Sequence, residues 1–124
     1  MRAKDLLLCA PASTPDERLN WAPWPTARTP LQQGAHAAWA IQSIAAMLVG
    51  RTFGASSTAQ ADASFREADK QLATREEVLS LLEDSSAAYL QRLDALTPEL
   101  LAGTIRVTVW FGPRAARSRA EFRA

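Results

Sequence analysis

The sequence predicts an all-helical bundle, and three observations carry that reading. Three Thr-led segments have the residue order that starts helices. An apolar stretch follows the second of them, and a stripe of apolar residues at 3–4 spacing follows the third. A short extended segment near residues 104–111 is the one departure, because there apolar and polar residues alternate.

The first residues, MRAKDLLLCAPAS, hold a short apolar run from Leu6 to Ala10. It is too short for a signal-peptide core, and the residues ahead of it are not strongly basic. Thr14-Pro15-Asp16-Glu17 places a hydroxyl at N-cap, a proline at N1 and a carboxylate at N3. The prolines of Trp21-Ala22-Pro23-Trp24-Pro25 stop a helix that begins there, so only a short turn is expected. Thr29-Pro30-Leu31-Gln32 repeats the arrangement and opens a helix over residues 30–49, with Gly50 at C′. Apolar residues occur on all its sides, which suits a central helix with several neighbours. His36, Gln42 and Ser43 interrupt it and no apolar run of ~20 residues exists, so it reads as a buried helix and not a membrane span.

Residues 51–73 are rich in small and polar side chains. The first half reads as a loop and residues 63–72 as a turn or two of helix; so long a connection either moves or covers a site. Thr74-Arg75-Glu76-Glu77 is a capping box without the proline, and it opens a helix over residues 75–96. Val78, Leu82, Ser85, Tyr89, Leu93 and Leu96 form its apolar stripe, while Glu76, Glu77, Glu83, Asp84, Gln91 and Asp94 make a wet face. Gly112-Pro113 ends the alternating segment. Residues 114–124, with four arginines against Glu121, read as a solvated, partly frayed tail or the start of another helix.

Composition narrows the class. At 124 residues the chain is one domain, residues 1–124, able to bury roughly two-thirds of its unfolded surface. A content of 48% hydrophobic and 22% charged residues is that of a soluble globular protein. A net charge of +1 gives no field to recruit nucleic acid or an anionic membrane. Cys9 is alone, so no internal disulfide forms and a reducing cytoplasm is expected.

The candidate functional residue is His36, the one histidine. Trp39, Ala40, Ser43 and Met47 lie at helical spacing from it. None is a carboxylate, so its own helix supplies no second metal ligand. Asp84 would serve only by turning inward from what reads as a solvated face. Buried without a partner, the imidazole stays neutral near pH 7 and needs one donor and one acceptor, for which Ser43 and Tyr89 are candidates. Trp21 and Trp24 either line a pocket beside it or anchor the preceding loop through their apolar area. Nucleophilic catalysis has little support: Cys9 lies near the N-terminus, no glycine-rich phosphate loop exists, and the pairs Glu76/Glu77 and Glu83/Asp84 splay around their helix.

The segment 19-LNWAPWPTARTPLQQGAHAAWAIQSIAAMLVG-50 resembles the DinB/YfiT-like superfamily, with Leu19, Trp21, Pro23, Thr29, His36 and Gly50 in the places of its usual run. The segment 74-TREEVLSLLEDSSAAYLQRLDALTPELL-101 is similar to the family's third helix and its Thr-Pro-Glu ending. The resemblance implies an up-down-down-up four-helix bundle, often a homodimer. It implies a divalent metal (zinc, nickel or iron) held by three histidines, one on the second helix and two at i, i+4 on the fourth. It also implies a lineage of thiol-dependent transferases, isomerases or hydrolases, with a small-molecule or thiol ligand. Histidines four apart share a helix face, and a third from a facing helix leaves open coordination positions. His36 corresponds to the first ligand. No His-x-x-x-His is present, so either this chain is a truncated form or this branch has lost the site. The alternative function is a non-catalytic helical module for homodimerisation or partner binding. In it the uncovered apolar sides of the two main helices pack against a second copy, and the strands over residues 104–111 pair across the two-fold axis.

Overall fold

The structure, a computed structural model, describes residues 3–51, 57–106 and 116–118. Five α-helices follow one another: α1 (Ala3–Ser13), α2 (Pro30–Leu48), α3 (Thr58–Asp69), α4 (Arg75–Asp94) and α5 (Pro98–Ala102). A 3-10 turn over Asp16–Arg18 lies between the first two. A small antiparallel pair of strands, β1 (Thr104–Arg106) and β2 (Ala116–Ser118), follows α5 with Ile105 opposite Arg117. Among the described residues no helix is long and apolar enough to cross a membrane.

The two main helices begin and end as their local residues dictate. The Thr29 hydroxyl accepts from Gln32 N–H while the Gln32 side chain accepts from Thr29 N–H, and Pro30 sits at N1 without losing a bond. Gly50, at φ 85°, turns the chain out of α2; Gly50 N–H then donates to Met47 O and Arg51 N–H to Ala46 O. Those two bonds satisfy carbonyls that a helix end otherwise leaves orphaned. Thr74 and Glu77 form the same reciprocal box on α4.

α2 is the centre of the bundle and packs against α1, α3 and α4. Its Leu31, Ala35 and Ala38 lie one above another and meet Val78 and Leu82 of α4 in the buried core. Gly34 approaches Val78, Gln42 donates to Ser85 Oγ at 3.0 Å and Ala45 O accepts from Arg92 at 3.0 Å. These contacts advance together along both helices, so α2 and α4 run parallel. α1 runs antiparallel to α4, because Lys4 meets Glu83 and Pro11 meets Arg75. The helices α1, α2 and α4 therefore run up, down and down.

Four expectations change. α1 forms where only a short apolar run stood out. Its Leu8 packs on the core and Pro11 is buried. The Arg75 guanidinium closes its C-terminal end, donating to Pro11 O at 3.1 Å and to Thr14 O and pairing with Asp16 at 2.6 Å. Thr14 is not an N-cap, since its hydroxyl donates back to Ala10 O at 2.7 Å; the 3-10 turn starts at Pro15 without a side-chain cap. α3 is 12 residues long, more than the turn or two expected, and starts at Ser57, whose hydroxyl accepts from Gln60 N–H. Residues 116–118 of the basic tail form a strand and pair with residues 104–106 of their own chain, while residues 114–115 and 119–124 lie outside the described residues. The rest of the alternating segment, residues 107–111, lies outside the described residues.

Candidate functional site

Three elements converge on His36. α2 carries it, α3 brings Phe65 and Asp69, and the loop before α2 brings Trp24 and Arg28. Phe65 and Asp69 are four apart and so share a helix face. The Phe65 ring meets the imidazole edge-on, with centroids 4.9 Å apart and planes at 73°. Asp69 is 2% exposed. Arg28 Nε donates to its Oδ2 at 2.7 Å, and its Oδ1 lies 3.8 Å from His36 Nδ1. Neither Oδ1 nor Nδ1 has a hydrogen-bond partner, and both atoms are buried.

A second set of bonds ties the loop to α3. Arg28 Nη2 lies 3.5 Å from Asp62 Oδ1, Arg66 Nε donates to Asp62 Oδ2 at 2.8 Å, and Arg66 Nη1 donates to Thr26 O at 3.1 Å. The hydrogen bond from Arg66 holds the Asp62 carboxyl below its ordinary value. A buried carboxylate such as Asp69 is unfavourable unless paired and hydrogen-bonded, and Arg28 supplies both.

Burial lowers the His36 pKa from its ordinary value, and the Arg28 charge lowers it further. Asp69 and Asp62 pull the other way but do not win. Burial is the largest cause, and the Arg28 guanidinium, already bonded to Asp69, adds to it. The 3.8 Å approach of His36 to Asp69 is therefore a contact of a neutral ring near pH 7, not an ion pair. The side chain is 36% exposed, so one part of the ring is buried against α3 and the rest faces outward. That outward part lines a cleft of about 570 Å³ with Pro23, Trp24, Arg28, Gln33 and Arg66.

The family model of the DinB superfamily matches residues 2–122. The chain belongs to the DinB superfamily. No curated protein and no solved structure gives a significant match. The up, down, down course of α1, α2 and α4 is the course expected of a DinB bundle's first three long helices, and His36 stands on the second of them.

The residues of this DinB protein singled out from sequence divide between two places. Trp24, though 60% exposed, shares the cleft with His36. Trp21 lies beneath the Arg18 guanidinium, 5.6 Å from its ring centre, and is not part of that lining. Trp39 and Ser43 line a separate groove with Gln42, Phe65 and Ala68, and the Ser43 hydroxyl donates to Trp39 O at 3.0 Å. Tyr89 is half-buried on α4, outside the His36 lining. Asp84 is exposed. The residues that sequence reasoning missed are Arg28 and Asp69. Arg28 directly precedes a recognised N-cap, and Asp69 lies in a segment that reads as small and polar; nothing local marks either as half of a buried pair.

Among the described residues, no group of three His, Cys, Asp or Glu side chains stands close enough to hold a metal ion. Among the described residues Asp69 is the carboxylate nearest His36, and the Arg28 charge on Asp69 opposes a cation. The described residues therefore do not by themselves fit the three-ligand centre that the resemblance implies.

Proposed function

We propose that this DinB protein binds a small anionic thiol in the cleft beside His36. One observation carries the reading: a neutral, half-buried imidazole stands at the edge of a cleft that also holds an indole and two guanidinium groups. A neutral imidazole accepts a hydrogen bond from a thiol S–H, and the Arg28 and Arg66 charges favour the thiolate, the reactive form. Arg28 and Arg66 each use two of their five N–H groups in the bonds above, which leaves donors for a ligand carboxylate. Trp24 offers apolar area for the ligand's carbon skeleton. Among the described residues a zinc, nickel or iron ion would find no ligand set beyond His36, so metal enters the reading as a co-ligand to be tested and no chemical step is routed through it.

Calorimetric titration with glutathione tests the proposal, run with and without added zinc. Glutathione should bind, S-methylglutathione should bind at least several-fold more weakly, and His36→Gln should remove that difference. Equal binding of the two compounds, or no binding, would overturn it.

A second reading has its own observation. Ile44 and Val49 at the end of α2, Leu90 and Leu93 at the end of α4, and Leu100 on α5 are all exposed. Because α2 and α4 run parallel, the first four lie toward the same end of the bundle. A homodimer burying that end would make the chain a self-associating module, whatever its cleft binds.

A further inference from the structure

We infer that Asp69 is a positioning residue: its Oδ1 accepts the Nδ1–H of His36, which holds the neutral ring in one tautomer and leaves the Nε2 lone pair for the cleft. The inference rests on His36 being the ligand-facing group, but its test needs no ligand.

The separation of 3.8 Å decides what stands between the two atoms. It is too long for a hydrogen bond, and too short for a bridging water, which holds its two partners about 4.5 Å apart. Both atoms are buried and neither has another partner. Leaving a buried donor or acceptor unmade costs about 1–3 kcal/mol, and both groups are at stake. Turning the ring by ~30° from its rotamer costs only about 0.5–1.5 kcal/mol. The ring is 36% exposed on one side and packs against the Phe65 ring on the other. Closing the gap is the cheaper outcome.

The direction of the bond follows from the carboxylate. Arg28 donates to Oδ2, so the carboxylate is an acceptor there and Oδ1 remains for the ring. The proton must therefore sit on Nδ1. A neutral imidazole carries a single N–H, so Nε2 is bare. Its lone pair would accept a hydrogen bond from a thiol S–H. A neighbouring carboxylate orients functional imidazoles in this way in many metal and acid–base sites. Asp69 touches neither ligand nor cleft chemistry directly; it acts through the ring.

Nitrogen-15 NMR of the imidazole tests this. His36 is the single histidine, so the imidazole signals are its own, and the couplings to Hδ2 and Hε1 tell Nδ1 from Nε2. At about pH 8 the ring is neutral. Nδ1 should resonate as a protonated, pyrrole-type nitrogen and Nε2 as a bare, pyridine-type one. Asp69→Asn should reverse the pattern. Arg28 needs an oxygen, so the amide carbonyl stays with Arg28 and the amide N–H₂ turns to Nδ1, which must then accept. Phe65→Leu should loosen the ring and leave the tautomer as it is. A purely structural Asp69 would change stability without moving the tautomer. A wild-type ring protonated on Nε2, or one averaging both forms, overturns the inference even if Asp69→Asn fails to fold. So does a folded Asp69→Asn that keeps Nδ1–H. If the tautomer holds while glutathione fails to bind, only the functional reading falls.

Discussion

The charge beneath His36 sets what each of its neighbours does. Asp69 is nearly fully buried and Arg28 is its cation. Removing one member of such a pair leaves a buried charge uncompensated, so Arg28→Ala should cost about 3–5 kcal/mol. Urea unfolding measures it, and adding Asp69→Leu to Arg28→Ala should recover much of the loss, because the second change removes the stranded charge. A double variant as unstable as the single would show that Arg28 acts through packing instead. His36 gives a pH dependence whose sign is set. The groups facing its ring are Arg28 and Arg66, which lower its pKa, and Asp69 and Asp62, which raise it; burial is the largest cause and the net shift is downward. Between the lowered folded value and 6.5 the unfolded chain binds more protons than the folded one. This stability is fully present above about 6.5 and falls as pH drops through that window. The Asp62 and Glu77 carboxyls are held below their ordinary values, so their losses come at lower pH and do not mimic it. The urea midpoint should fall from roughly pH 7 to pH 5.5 in the wild type and be flatter in His36→Gln. Equal slopes in the two proteins would show that burial does not disfavour the protonated ring.

The close approach of α2 to α4 depends on one missing methyl group. A Cβ on Gly34 would stand 2.6 Å from Val78 Cγ1. Val78 is fully buried and β-branched, so it has no easy rotamer to retreat to. Alanine brings a helix-propensity gain of about 1 kcal/mol over glycine. Overpacking costs about 1–3 kcal/mol, so Gly34→Ala should be destabilising on balance. In a Val78→Ala background the same change should become neutral or favourable. A stabilised Gly34→Ala single variant would show that the helices separate freely. The Thr29/Gln32 and Thr74/Glu77 boxes and the Gly50 turn were legible because each device lies within a few residues of chain. α1 was not, because it has no N-terminal signal of its own and its end is closed by Arg75, more than sixty positions away. The sequence predicts α3 too short, because the helix buries little besides Ala61, Phe65 and Asp69 among small and polar residues. His36 was legible as the candidate group through its rarity and the DinB spacing. Its true neighbour was not, because Asp69 looks like any surface carboxylate until Arg28 is brought to it across 41 positions.

Running parallel, α2 and α4 end at the same side of the molecule, and the stripe that buries Val78, Leu82 and Ser85 comes into the open there. Leu90 is 45% and Leu93 36% exposed, and Ile44 and Val49 on α2 are exposed beside the Arg92 bond to Ala45. Single exposed apolar residues are ordinary on a soluble protein, but a set of them toward one end of a small bundle suits a contact with a second surface. A second copy would cover them, and a two-fold contact places the same residues on both sides of the interface. Sedimentation velocity over a dilution series should then show a dimer giving way to monomer as the protein is diluted. Leu90→Glu with Leu93→Glu should shift that balance to monomer while circular dichroism stays unchanged, since neither side chain belongs to the buried core. Gluing by the cleft is separable: His36→Gln should leave the sedimentation profile where it was. A wild-type monomer at every concentration would leave the α2–α4 end simply solvated and remove the self-association reading, without touching the chemistry argued for the His36 cleft.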